Sequence, residues 1–152
     1  MSLFQGMNIT TSALTAQRLR MDVISSNMAN VDTTRGKMVD GEWQPYTRKM
    51  VVMEPKASSF SSMLNTAINS NNVSSALNGV KITNIVEDNA PYRLVHDPDH
   101  PDANDEGFVQ LPNVDPLKEM VDLISTTRSY EANVTVMNST KSMYMKALEI
   151  GK

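Results

Sequence analysis

The residues with the most chemistry in them lie in one run, His96-Asp97-Pro98-Asp99-His100-Pro101-Asp102-Ala103-Asn104-Asp105-Glu106-Gly107. Two imidazoles among carboxylates are a donor set for zinc, and Asp102, Asn104 and Glu106-Gly107 resemble the opening of a calcium loop. The calcium reading stops at the loop's twelfth position, which is Asn113 where a bidentate Glu is needed. The zinc reading lacks ligands at fixed spacing on a rigid element, and the Pro and Gly turns in the run favour a solvated hairpin loop. Both histidines of the chain lie here, so a Ser-His-Asp arrangement would have to be built on the same loop. Glu42, Glu54 and Glu87 offer carboxylates for acid–base work, but nothing in the sequence gathers them into a pocket. The six glycines are scattered and form no phosphate loop. The expectation is a protein that is not an enzyme, with no catalytic, cofactor or metal site.

Composition points the same way. The chain has 152 residues, enough for a modest core, with only 5 % aromatics but 12 methionines, which fill adaptable contacts more readily than they specify a rigid interior. A net charge of -3 gives no basic field for nucleic acid. Cysteine is absent, which removes disulfides and thiolate chemistry and is compatible with a chain that crosses a membrane unfolded. The N-terminus shows no cleavable signal peptide, and no apolar run approaches the ~20 residues of a membrane helix, so no direct membrane insertion is expected.

The elements that must position any site are two terminal helices. Met7, Leu14, Met21 and Met28 recur every seven residues, with Ile24 and Val31 three positions on. Thr10, Thr11 or Ser12 is the expected cap at the start, and Asn30 the expected cap at the end, followed by a turn at Asp32–Gly36. At the other end Asp115 followed by Pro116 is a helix start, and Glu119 adds a first-turn carboxylate favourable to the helix dipole. Leu123, Tyr130, Met137 and Tyr144 recur every seven residues, with Met120, Val134 and Leu148 on the companion position, and Gly151 ends the helix. Each stripe is too long for a lone helix in water to hold.

Between them the spacing predicts strands at Tyr46–Met53, Val80–Val86 with a slip of register at Asn84, Tyr92–His96 and Phe108–Leu111. Residues 56–78 are rich in Ser and Asn and read as a loop that carries one short helix at Phe60, Met63, Leu64, Ala67 and Ile68. The expected fold is α+β: long N- and C-terminal helices packed as a coiled coil, with a small β-rich middle. The segments are 1–34, 35–111 and 112–152.

Asn27-Met28-Ala29-Asn30-Val31-Asp32-Thr33, preceded by Ser12-Ala13-Leu14-Thr15-Ala16-Gln17, resembles the N-terminal signature of bacterial flagellar axial proteins. Pro112-Asn113-Val114-Asp115, Glu119-Met120-Val121, Arg128-Ser129-Tyr130-Glu131-Ala132-Asn133 and Lys141-Ser142-Met143, with Gly79-Val80-Lys81 and Gly107-Phe108-Val109, are similar to the proximal-rod family among them. Many axial proteins continue after the Asn-rich cap with Thr-Pro-Gly-aromatic; here the chain has Thr33-Thr34-Arg35-Gly36-Lys37. The resemblance implies a self-assembling structural subunit of the basal-body rod, the drive shaft that crosses the cell envelope outside the cytoplasmic membrane. It implies export by the flagellar type III apparatus. The implied partners are its own copies, the rod proteins FlgB, FlgF and FlgG, and the adaptor FliE. The stripes then make an assembly seam of Leu14, Met21, Ile24 and Met28 against Leu123, Tyr130, Val134, Met137 and Tyr144, with Asn27, Asn30 and Asn133 as polar contacts that set register. The rival readings are a non-polymerising helical adaptor or export chaperone, and a metalloenzyme built on His96 and His100.

Overall fold

In the computed structural model, residues 4–56 and 79–150 are described. Helix α1 spans Gln5–Ala29 and helix α2 spans Pro116–Ile150. Between them lie β1 (Lys37–Val39), β2 (Glu42–Gln44), β3 (Lys49–Pro55), β4 (Val80–Glu87), β5 (Arg93–His96) and β6 (Phe108–Leu111). The strands pair as three two-stranded ribbons, β1 with β2, β3 with β4 and β5 with β6. This is the α+β architecture expected of two terminal helices around a small β-rich middle. The expected helix within 57–78 and the end of α2 at Gly151 lie outside the described residues.

Several bounds differ from expectation, and β3 runs Lys49–Pro55 where Tyr46–Met53 was expected. α1 opens at Gln5, ahead of Thr10–Ser12. The hydroxyls of Thr10 and Thr11 each donate at 2.8 Å to the carbonyl four residues back, Gly6 and Met7, so these residues sit inside the helix and not at its cap. The β1–β2 hairpin was not anticipated. Its turn is Asp40-Gly41, both with positive φ (52° and 90°), the conformation that Asp-Gly supplies most cheaply. At the other helix end Asn30 caps with its side chain: Nδ2 donates to the Ser26 carbonyl at 2.8 Å. Asp115 caps α2 as expected, with Oδ1 accepting from Leu117 N at 3.0 Å.

The residues gather into two compact units, each with its own share of both helices. One consists of Leu19–Val52 and Asn84–Thr127. Its interior holds Val23 and Ile24 of α1, Val109 of β6 and Val114. Here the helices meet antiparallel, with Met21 against Thr127 and Asn27 against Glu119. The β5–β6 ribbon turns Val109 inward, and its partner across the ladder is Val95. The other unit consists of Met1–Arg18, Met53–Thr83 and Arg128–Lys152. Ala16 and Thr10 are its buried α1 positions, and Phe4 meets Tyr144 of α2 edge-to-face at 6.0 Å. Ser12 accepts a hydrogen bond from Val80 N at 3.1 Å and lies where a Cβ on Gly79 would fall. That contact gives a physical reason for glycine in Gly79-Val80-Lys81. Gln17 points its Oε1 inward with no hydrogen-bond partner among the described residues.

Candidate functional site

The most heavily constrained place in the molecule is a polar cluster inside the first unit. Asn27, 1 % exposed, uses its whole amide. Oδ1 accepts from Lys49 N at 2.9 Å and from the Tyr46 hydroxyl at 3.0 Å. Nδ2 donates to Lys49 O at 2.8 Å and to Glu119 Oε2 at 3.1 Å. The side chain thus pairs with both backbone groups of Lys49 at the start of β3, and ties α1 to that strand and to α2. Its capacity of two donors and two acceptors is filled.

Glu119 has no exposed surface. Arg48 Nε donates to its Oε1 at 2.7 Å, and the same guanidinium reaches Asp88 at 3.4 Å and Asp122 at 3.7 Å. Asp122 also faces Arg20 at 3.6 Å. Burial works against the charge on Arg48, but hydrogen bonds and charge from Glu119 and Asp88 outweigh it and raise its pKa. Asn113 completes the frame: Oδ1 accepts from Arg48 N at 2.8 Å, and Nδ2 donates to the carbonyls of Asp88 and Ala90. The Asn113 of Pro112-Asn113-Val114-Asp115 therefore serves as a backbone clamp beside the helix cap.

Within the unit the cluster ties α1, the start of β3 and α2 together, and a buried charge pair is strongly destabilised when one partner is misplaced. Glu119, expected as a first-turn carboxylate favourable to the helix dipole, is fully buried. The signal was in its phase: Glu119 lies four residues before Leu123 and so on the same helical stripe. Asn27 likewise follows Ile24 by three. Arg48 and Asp88 carried no sequence signal, since long-range pairing brings them here, whereas Asn113 lay in a motif that carried the resemblance without showing its role.

The His/Asp run forms the loop of the β5–β6 hairpin. Asp102 is held there by Arg35 Nε at 2.9 Å and by Thr34 Oγ1 at 2.7 Å. The Arg35 hydrogen bond, and then that from Thr34, keep its carboxyl below the usual carboxylate range. His100 Nδ1 accepts from Asp102 N at 3.1 Å, and His96 packs edge-to-face on Phe108 at 5.1 Å. Among the described residues no three His, Asp or Glu side chains converge as metal ligands.

Of the stripe residues, Ile24 and Asn27 are buried within the chain. Leu14, Met21, Met28, Asn30, Leu123, Tyr130, Asn133, Val134, Met137 and Tyr144 are half-buried. Met21 Sδ accepts from Thr127 at 3.7 Å, and Asn133 Nδ2 donates to the Ser129 carbonyl in its own helix at 2.8 Å. Beside them α2 leaves large apolar groups in water. Leu117 is 70 %, Val121 66 % and Ile124 62 % exposed, at the spacing of one helical face. No helix among the described residues is long and apolar enough to cross a membrane.

Residues 7–36 match the family model described as flagella basal body rod protein. Residues 105–150 match the model described as flagellar basal body rod FlgEFG protein C-terminal. The chain is 63 % identical to the flagellar basal-body rod protein FlgC of Bacillus subtilis over the full length of both. It is 42 % identical to FlgC of Borreliella burgdorferi, covering 99 % of this chain and 98 % of that one. It is 40 % identical to FlgC of Salmonella typhimurium over the full length of both. With that identity to rod proteins running over their full length, and both terminal helices lying largely within the rod-family matches, the chain belongs to the FlgC family and is a structural subunit of the flagellar basal-body rod.

Proposed function

We propose that copies of this chain build the proximal part of the rod by packing their α1–α2 pairs against those of neighbouring subunits around a central channel, with the β-rich middle facing outward. The rod then crosses the envelope outside the cytoplasmic membrane and carries torque along the helix axes. The half-buried stripe residues from Leu14 to Tyr144 form the seam together with the exposed α2 face. Asn27 and Ile24 act from inside the subunit to hold that face in place. The reading involves no catalytic step. Its partners are further copies, FlgB, FlgF and FlgG along the rod, and FliE. The flagellar type III apparatus delivers the chain unfolded, a route suited to long helices that gain their stability from burial and not from propensity.

The observation that carries the proposal is the exposed row of Leu117, Val121 and Ile124. Such a face costs solubility in a monomer and is stabilised by burial against a neighbour, at roughly 25 cal/mol per Å² of apolar area. The test is Val121→Asp and Ile124→Asp in cells that lack the native copy. Because both positions face water, the variants should fold and accumulate normally, yet be absent from purified basal bodies and leave the cells non-motile. Motile cells with either variant in the rod would refute the seam.

A further inference from the structure

A groove of about 490 Å³ lies among the β1–β2 hairpin, the β5–β6 hairpin and its loop, all within one unit. Trp43 lines one side, and Tyr92 and Phe108 line the other. Trp43 is the chain's one tryptophan and is 53 % exposed; across the hairpin it pairs with Met38, itself 58 % exposed. Phe108 is 38 % exposed, and Leu94, 63 % exposed, shares its face of the ribbon. These rings lie outside the buried set that holds the unit together. Exposed Trp and Tyr at a concave site are the side chains that dominate protein–protein contacts.

Charge indicates what fits. The charged residues lining the groove are Glu42 and Asp102, with no Lys or Arg among them. Arg35 is engaged with Asp102 and Lys37 with Glu87, and Arg93, which follows Tyr92, lies on the face of the β5–β6 ribbon opposite to Leu94 and Phe108. Asp40, Asp105 and Glu106, which adjoin the lining along the chain, are exposed and form no ion pair among the described residues. A tryptophan face beside uncompensated carboxylates attracts a cation twice, through the ring quadrupole and through charge. A glycan would also stack on Trp43, but two of the groups that would read its hydroxyls are committed. Asp102 is bound by Arg35 and Thr34, and Asn104 Oδ1 accepts from the backbone of Glu106 and Phe108.

We propose that this groove docks an extended, lysine- or arginine-bearing segment of a neighbouring protein, with one cationic side chain over Trp43 and a second answered by Glu42, which precedes Trp43 on β2 and so leaves the other face of the strand. The contact is separate from the helix seam and stands whether or not that seam is correct.

The experiment uses the full chain in solution and the emission of Trp43, titrated with hexalysine. Saturable binding is expected, weakening by about tenfold between roughly 0.05 M and 0.5 M ionic strength as screening sets in. Glu42→Gln should weaken it about fivefold, whereas Glu54→Gln, an exposed carboxylate outside the groove, should leave it unchanged. Calorimetry with Trp43→Leu should show a loss of about tenfold. Equal affinities for Glu42→Gln and Glu54→Gln would mean that hexalysine reads net charge alone, and the proposal falls. Saturation by chitohexaose with hexalysine inert would make the groove a glycan site and overturn it as well. Should Trp43→Leu unfold, the Glu42/Glu54 comparison still decides.

Discussion

Replacing Arg48 with Met tests whether the buried cluster holds the unit in register. The substitution keeps the length of the side chain and removes its charge. Glu119, with no exposed surface, would be left with one donor among the described residues, Asn27 Nδ2 at 3.1 Å. Breaking a buried pair in this way costs about 3–5 kcal/mol, because the stranded carboxylate has lost water and gains nothing in return. Asp88 and Asp122 also lose a partner, but both keep solvent access, so their share is small. Against a domain stability of about 5–15 kcal/mol, the loss is about a fifth or more. With a urea slope of about 2 kcal/mol per M, the midpoint falls by roughly 2 M. Trp43 emission follows this unit directly, since the chain's one tryptophan lies in it. Arg48→Met with Glu119→Met should recover at least about 2 kcal/mol, because the uncompensated charge is gone. An Arg48→Met loss below about 1 kcal/mol, additive with that of Glu119→Met, would place the pair in the class of screened surface contacts and refute the argument.

The remaining expectations concern smaller contacts. Asp102 has a folded pKa below its ordinary value, so its contribution is present above about pH 4 and is lost as pH falls through the lower folded value. Amide exchange in the loop at Asn104–Gly107 should therefore quicken only in acid, and Arg35→Gln should show that faster exchange already at neutral pH. Gly79→Ala would drive a Cβ into Ser12 Oγ; it should lower the stability read from urea unfolding by about 1–3 kcal/mol, and Ser12→Ala should restore part of it. Asp115→Ala removes the cap of α2 and should cost about 1 kcal/mol by thermal unfolding, with Asp115→Asn nearly neutral.

The sequence alone determined those features that depend on near neighbours. Seven-residue recurrence made both long helices visible, because a stripe needs no knowledge of its partner. Asp115-Pro116 placed the start of α2 to the residue, and alternation found β5 and β6 with a turn-rich loop between them. Asp40-Gly41 was equally local, and a hairpin there was legible from the dipeptide. The capping role of Thr10–Ser12 was not decided locally, since the same hydroxyls that cap a helix also bond back within one. Tertiary structure alone decided which polar residues matter. Glu119 reads as a surface carboxylate until Arg48, 71 positions away, arrives to neutralise it. Asn27 reads as part of a helix end until Lys49 offers it a backbone pair. Those roles depend on desolvation and on pairing between distant segments, and neither quantity exists before the chain has folded.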